Sequence, residues 1–440
     1  MSQGGSTGWG SRLGFILASA GSAVGLGAIW KFPYMAGTNG GSIFMIPYIF
    51  FTVTVGIALL IAEFSMGRAG KRGAVGSLNK VCGKPWGFFG GVGVFTVFLI
   101  LSFYSVVGGW CIKYTIDAFT GTGIIADAQA LGAHFGSFVS NSAVSYGYLL
   151  VFLLMTAFVV LRGVEAGIEK LSKVLMPSLF ILMLILIVRG VTLPGGWKGV
   201  EFLFTPRWED FNATALFNAM GFCFFSLSLG AGTMITYGSY LNPKADLPSS
   251  VGWVAFLAIL SSVLGGLMVM PAVFAFNLDP TAGPGLTFVT MPAIFAQMPM
   301  GQLFAIFFYI CLLVAALTSS VSMLEACTVL LTQTFSITRR TAIIATLVGC
   351  AVVGFCANLS FGPWSEVKSS AEHLRPSRLR HLERRHAAFR TFGIAIAAAW
   401  VAWPTTASEL QSARKLSPAT LNALRVLIGF LSPLFVLIVA

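Results

Sequence analysis

Stretches of about 20 mostly apolar residues, the length a helix needs to cross the hydrocarbon of a bilayer, recur along this entire chain and limit what it can fold into. They fall near 13–37, 42–66, 88–118, 146–162, 171–191, 214–239, 249–275, 302–332, 341–358 and 418–440, with a shorter apolar piece at 391–403. Backbone N–H and C=O groups find no water in lipid, so each stretch must satisfy its own hydrogen bonds as a helix. Only 10% of the residues are charged, against about 25% in an ordinary soluble domain. No gap between stretches has room for a separate soluble domain. The expected fold class is all-α: a polytopic helical membrane protein of about 11 spans, forming one membrane domain over residues 1–440, with the tenth span disrupted. Trp9–Arg12 leads straight into Leu13 with no signal peptide before it, so the first helix is expected to be retained.

Lysine and arginine set the orientation. Arg68, Lys71, Arg72, Lys80 and Lys84 follow the second span, Arg162, Lys170 and Lys173 the fourth, and Arg339 and Arg340 the eighth; the loops at 119–145 and 276–301 have neither residue type. The positive-inside rule then puts the N-terminus of this multi-pass protein in the cytoplasm. The Pro/Gly-rich start of the second loop, Asp279 to Gly285, runs into apolar residues and reads as an ordered external lid. The net charge of +12 fits basic cytoplasmic loops; the basic residues are not interleaved with aromatics on a soluble face, so no nucleic-acid partner is expected. Seven scattered cysteines without a CxxC pair, most inside apolar runs, read as small core residues and not as a disulfide or metal framework.

One segment departs from this plan. Residues 369–390 hold six Arg and three of the four His, at a position where span counting expects membrane. The apolar remnant 391–403 is too short to cross alone. A local reading-frame error that converts part of a span into an Arg/His-rich stretch accounts for both features; a basic regulatory insertion is the alternative. On the first reading the chain as written is destabilised or inactive.

Two spans are interrupted by small residues. The first contains Ala20, Gly21, Ser22, Ala23, Val24, Gly25, Leu26 and Gly27; the sixth contains Ser226, Leu227, Ser228, Leu229, Gly230, Ala231, Gly232 and Thr233. Either cluster alone is explained by close helix packing. Breaks at matching places in spans five apart point instead to a binding site near the bilayer midplane. Unwound carbonyls can coordinate a hard cation, and half-helix N-termini can hold a carboxylate. The eighth span adds hydroxyls in the run Ala315, Ala316, Leu317, Thr318, Ser319 and Ser320. Serine and threonine in a membrane helix ordinarily bond back to their own backbone, but beside the first break they can complete an oxygen cage.

The stretches RLGFILASAGSAVGLGAIWKFPY (12–34), NGGSIFMIPY (39–48), AEFSMGR (62–68), FFSLSLGAGTMITYGSY (224–240) and AALTSS (315–320) together resemble the neurotransmitter:sodium symporters, in particular bacterial amino-acid transporters with the LeuT-like fold. The resemblance runs from Trp9 to about Trp364 and resumes near Ile394. It implies inverted five-helix repeats (about 12–191 and 214–403), a final helix at 418–440, broken first and sixth helices, and a single transport domain. It implies Na⁺ as cofactor, one or two ions. One sodium site would use carbonyls of Gly21, Val24 and Ala315 with hydroxyls of Thr318 and Ser319; the other would use the Ala23 carbonyl, Ser226 and the substrate carboxylate. Two usual side-chain ligands of that second site are missing, since Ala28 replaces an Asn and the seventh helix is apolar near Leu257 and Ala258.

The same resemblance implies substrate contacts from Ser22, Ala23, Gly25, Gly27, Ile100, Tyr104, Phe225, Ser226, Ser228, Ala231, Ser319 and Met323. Tyr104 would bind a carboxylate and Phe225 would close over it. Gly25 replaces the Asp of amine-transporting relatives, which fits an amino acid; small Ala231 with apolar Ile100 and Met323 leaves room for an apolar or aromatic side chain. Lys31 stands at the outer gate in place of Arg, with Phe225 beside it. The inner Arg–Asp pair is replaced by Ser6 and Gln333. Of the chloride-site positions Tyr48 and Ser226 fit, Phe222 does not, and Ser261 stands where some relatives are acidic, so Cl⁻ dependence is left open. Glu63 is expected to anchor the first-helix break. The implied partners are an amino-acid substrate and the lipid bilayer; nothing in the sequence fixes the oligomeric state. The competing readings are a non-transporting substrate sensor, an inactive product of a damaged gene, or a membrane enzyme. The last is disfavoured by the lack of a nucleophile–base pair, metal cluster, Walker motif or HExxH motif.

Overall fold

The computed structural model describes residues 8–123, 125–280, 285–362, 364 and 388–439, and every regular element among them is helical. Eight helices are long and apolar enough to cross a membrane: Ser42–Gly70, Lys84–Thr120, Ser142–Leu161, Val164–Val191, Leu247–Ala275, Gly301–Phe335, Arg339–Leu359 and Pro418–Ile438. A ninth crossing is the pair Arg12–Ala23 and Gly27–Thr38, whose halves meet at 46°. The sixth span is broken as well, into Ala213–Ser226 and Thr233–Ser239. The tenth position carries the short helices Ala388–Val401 and Trp403–Leu410. Most of the anomalous segment, residues 369–387, lies outside the described residues; its last three residues open the helix at Ala388, and Arg390 is buried there.

Side-chain caps mark where several helices begin, because the first N–H groups of a helix have no partner within it. Ser11 Oγ accepts from Gly14 N (3.0 Å), Asn212 Oδ1 from Ala215 N (2.8 Å), Asp246 Oδ1 from Ser249 N (3.1 Å) and Thr338 Oγ1 from Thr341 N (3.2 Å). Pro47, Pro177 and Pro271 lie inside helices. Each removes an N–H from the ladder, which is tolerated in a membrane helix because neighbouring elements re-satisfy the freed groups. A wide π turn at Thr52–Gly56 begins five residues after Pro47, and another at Val164–Glu169 ends eight residues before Pro177.

The spans sort into two packed groups. The second span runs along both halves of the broken sixth, and the seventh packs on the first and second. The third, fourth, eighth and ninth pack on one another. The first span touches the eighth across the boundary, and the fifth touches the first, seventh and eighth. Both breaks thus face the boundary between the groups. The expected lid is ordered over its described part: a π turn at Leu286–Thr290 continues into Met291–Gln297, with Phe288, Met291 and Ile294 buried.

Candidate functional site

The first break forms because Val24 leaves the helical region (φ −91°, ψ 51°) after closing the last turn onto Ala20 O at 2.6 Å. Freed from the ladder, the Leu26 N–H donates to Tyr104 Oη of the third span at 3.1 Å. Ser319 Oγ of the eighth span donates to the carbonyls of Gly21 (3.1 Å) and Ser22 (3.2 Å), and Thr318 Oγ1 donates to Ala315 O (3.1 Å). A Cβ on Gly21 would stand 3.2 Å from Thr318 Cβ, so the glycine is what lets the two helices approach this closely. Gly21, Ala315, Thr318 and Ser319 therefore bring neutral oxygens together across the boundary, a donor set that suits a hard monovalent cation. Val24 is the residue that ends the half-helix beside them.

Other expected positions surround this point. Ser228 Oγ in the sixth break donates to the Ser22 carbonyl at 3.2 Å. Gly25 lies against Ser319 Oγ and Tyr104 Oη. Phe225 packs over Gly27, where a Cβ would meet Phe225 Cε1 at 2.8 Å, and the Lys31 ammonium sits 3.8 Å from the Phe225 ring centroid. Ile100 lies one turn before Tyr104, and Met323 one turn after Ser319. Ala231 backs onto Gly93 of the third span. Ala23 is the last residue of the first half-helix, while Ser226 Oγ donates back to Cys223 O of its own helix at 3.1 Å.

Ser322 was not among the expected residues. Its hydroxyl donates to Ser22 Oγ at 2.7 Å. It stands three residues beyond Ser319 and hence on the same helix face, which is the signal that would have found it. Met176 was missed too: its sulfur would lie 3.4 Å from a Gly21 Cβ.

One expectation changes. Glu63 holds the sixth break, not the first: its Oε1 accepts from Gly230 N at 2.6 Å. Tyr48 Oη bonds Ser262 Oγ at 3.0 Å, and Ser261, the residue before it, bonds back to Ala258 O at 2.9 Å. Gln333 spans to the loop after the second span, accepting from Gly73 N at 3.0 Å, and Ser6 lies outside the described residues. On the same side Trp9 Nε1 donates to Tyr237 O (3.0 Å) and its ring packs edge-on against Tyr237.

Two broken helices whose breaks face the boundary between two helical groups, with an oxygen cluster where the first of them meets the eighth span, define a membrane transporter of the broken-helix class. The chain belongs to the sodium:neurotransmitter symporter family, whose profile matches residues 6–127 and 134–366. It is 43% identical over 318 residues to a sodium-dependent transporter, YhdH, of Bacillus subtilis, covering 72% of this chain and 70% of that one. It is 38% identical over 359 residues to a sodium-dependent transporter of Methanocaldococcus jannaschii, covering 77% and 72%. Its fold matches the crystal structure of MhsT in complex with L-phenylalanine, with a TM-score of 0.88, 36% identity and 98% of each chain covered. This chain is a sodium-dependent transporter with the LeuT-like fold.

Proposed function

We propose that the chain imports an amino acid with an apolar or aromatic side chain, coupled to Na⁺, by alternating access. The observation that carries this reading is the setting of Gly25. A Cβ there would run into Ser319 Oγ and lie 2.9 Å from Tyr104 Oη, so no acidic side chain fits at that position. A ligand bringing its own carboxylate gives the Tyr104 hydroxyl, whose oxygen already accepts from Leu26 N–H, an acceptor for its proton; an amine without one offers none. The solved relative with bound L-phenylalanine supports an aromatic substrate.

In this reading Gly21, Val24, Ala315, Thr318 and Ser319 hold one Na⁺, and Ala23 and Ser226 contribute to a second site that the substrate carboxylate completes. Ser22, Gly25, Gly27, Ile100, Tyr104, Phe225, Ser228, Ala231 and Met323 line the substrate, with Lys31 and Phe225 as the outer gate. The first site joins the first span to the eighth, one from each packed group. Sodium can therefore bias the transporter only through its different affinity for states in which those spans are together or apart. Residues 1–440 act as one transport domain in a bacterial plasma membrane, with the N-terminus cytoplasmic.

The test is uptake of labelled L-phenylalanine, L-leucine and phenethylamine, which lacks the carboxylate, into proteoliposomes, with and without an inward Na⁺ gradient. It is run on this chain and on a version carrying an apolar helix across 369–390. Sodium-dependent uptake of the amino acids but not of phenethylamine by either version supports the reading. Sodium-dependent binding without uptake by both favours a sensor, and uptake by the restored version alone identifies the chain as written as an inactive product.

A further inference from the structure

On the face of the Lys/Arg-rich loops, the first span begins against a buried carboxylate that the transport site does not use. Glu169 closes the wide turn that opens the fifth span and is 2% exposed. Its Oε2 accepts from the Gly10 N–H at 2.7 Å, and its Oε1 from the Ser11 hydroxyl at 2.7 Å. Ser11 is the N-cap of the first span and accepts from Gly14 N while it donates to Glu169, so one hydroxyl joins the helix start to the carboxylate. Lys173, one turn on, pairs with the same Oε1 at 2.7 Å. The approach depends on Gly14, where a Cβ would overlap the Glu169 carboxyl carbon. Its φ is not positive, so closeness and not backbone freedom calls for the glycine. On either side, Trp9 donates to Tyr237 O of the sixth span, and Arg12 donates to Ser250 Oγ (3.1 Å) and Ser249 Oγ (2.6 Å) of the seventh. The Ser249 contact lies in solvent whereas the carboxylate does not, and a hydrogen bond to a buried charge is the stronger. The half-helix that starts here, Arg12–Ala23, carries Gly21 near its other end, where Ser319 meets it.

We propose, on the alternating-access reading above, that Glu169 is a positioning residue for transport: it latches the inner half of the first span to the fifth and so sets how firmly Gly21 is presented to the eighth. With the inner side closed, the carboxylate takes two donors at the start of the half-helix, where its charge also meets the positive end of the helix dipole. Opening toward the cytoplasm moves Arg12–Ala23 away as a unit, and the Gly10 N–H and Ser11 hydroxyl exchange Glu169 for water. Loss of the latch raises the population of the opened state. A sodium site assembled in only part of the population binds more weakly by that fraction, so apparent sodium affinity falls with it. Conversely, bound sodium, which joins the first span to the eighth, draws the half-helix back even where the latch is missing.

The experiment is hydrogen–deuterium exchange on the full chain in detergent, in saturating NaCl and in choline chloride of the same ionic strength. It reads residues 13–23 of the first span, with 174–186 of the fifth and 57–67 of the second as references. Wild type is expected to exchange more slowly over 13–23 in sodium. Without sodium, Glu169→Ala should exchange about tenfold faster there, as for lost hydrogen bonds to a charge, with both references unchanged. Saturating sodium should close most of that gap. Gly14→Ala is an independent route, because its methyl displaces the carboxylate without removing it. It should reproduce the effect and, added to Glu169→Ala, cost nothing further. Glu169→Gln, which keeps one acceptor oxygen, should fall between wild type and alanine. A carboxylate that merely supports the fold would speed exchange in the references as much as in 13–23, with sodium or without. That outcome, unchanged exchange of 13–23 in both Glu169→Ala and Gly14→Ala, or full additivity of the two substitutions overturns the latch alone. Wild-type exchange over 13–23 that ignores sodium overturns the alternating-access reading and the latch with it.

Discussion

The two helix breaks look alike in sequence and are built on different principles. In the first, Gly21, Gly25 and Gly27 all keep negative φ, and their lack of a side chain serves closeness to Thr318, to Ser319 and Tyr104, and to Phe225. In the sixth, Gly230 (φ 71°) and Gly232 (φ 76°) take left-handed conformations, and Ser228 (φ 53°) does so although it is not glycine. A left-handed residue with a Cβ costs roughly 1–2 kcal/mol, so the sixth break stores strain that something must offset. Glu63 does so, reaching from the second span to the Gly230 N–H. The first break is thus a contact surface held by its neighbours, and the sixth is a strained turn held by one carboxylate. Substitutions in the sixth break should cost stability, and those in the first should cost function.

The largest effect is expected at Glu63. Glu63→Ala removes the carboxylate to which the buried Gly230 N–H donates and leaves that N–H unsatisfied, which costs about 2–4 kcal/mol. The purified protein should unfold at a markedly lower temperature, and Glu63→Gln, whose amide oxygen still accepts, should recover most of the loss. A thermal midpoint unchanged by the alanine would mean that the sixth break needs no outside support, and the contrast between the breaks would fail.

Gly232→Ala comes next. The new Cβ meets both a left-handed backbone and Ala74 Cβ at 2.8 Å, so roughly 2–3 kcal/mol of destabilisation is expected. Once folded, the variant should bind sodium with nearly wild-type affinity, because Gly232 lies at the start of the inner half-helix, beyond the left-handed turn and away from the oxygen cluster. Thermal unfolding and sodium titration on the same sample separate the two effects.

How much of this was legible beforehand differs between the breaks for a physical reason. A cluster of small residues announces a break, but glycine used for closeness and glycine used for φ are the same letter. Which one is present depends on partners far along the chain, such as Glu63 and Gly230, 167 residues apart. Glu63 was therefore assigned to the wrong break. Residues on straight helices were easier, since Ser319, Thr318, Ile100 and Tyr104 follow from spacing once the resemblance fixes one of them. The tenth span was legible as a departure from pattern, and Ala388–Val401 is indeed too short to cross alone.

Gly21→Ala tests the first break in the opposite sense. Its Cβ would press on Thr318 Cβ at 3.2 Å, pushing the first and eighth spans apart by a few tenths of an ångström where they meet. In the reading proposed above, this loosens the oxygen cage and raises the sodium concentration for half-maximal uptake about tenfold, equivalent to about 1.4 kcal/mol. The unfolding temperature should change little, since φ there suits alanine. A loss of stability matching that of Gly232→Ala would show that both breaks are strained alike.

The smallest expected effect is at the outer edge of the first break, where Lys31 covers Phe225. Phe225 is still 38% exposed, so the ammonium is only partly desolvated and the contact is worth about 0.5–1 kcal/mol. Lys31→Gln should weaken apparent substrate affinity about two- to fivefold and leave the maximal rate nearly intact, while Lys31→Arg, which stacks on the same ring, should stay close to wild type. The measurement is the substrate dependence of sodium-driven uptake in the version restored across 369–390. If glutamine and arginine behaved alike, the charge over the ring would be incidental. Closure over Gly27 would then rest on the Phe225 ring alone, and the first break would be a surface of fit with no electrostatic component at its outer edge.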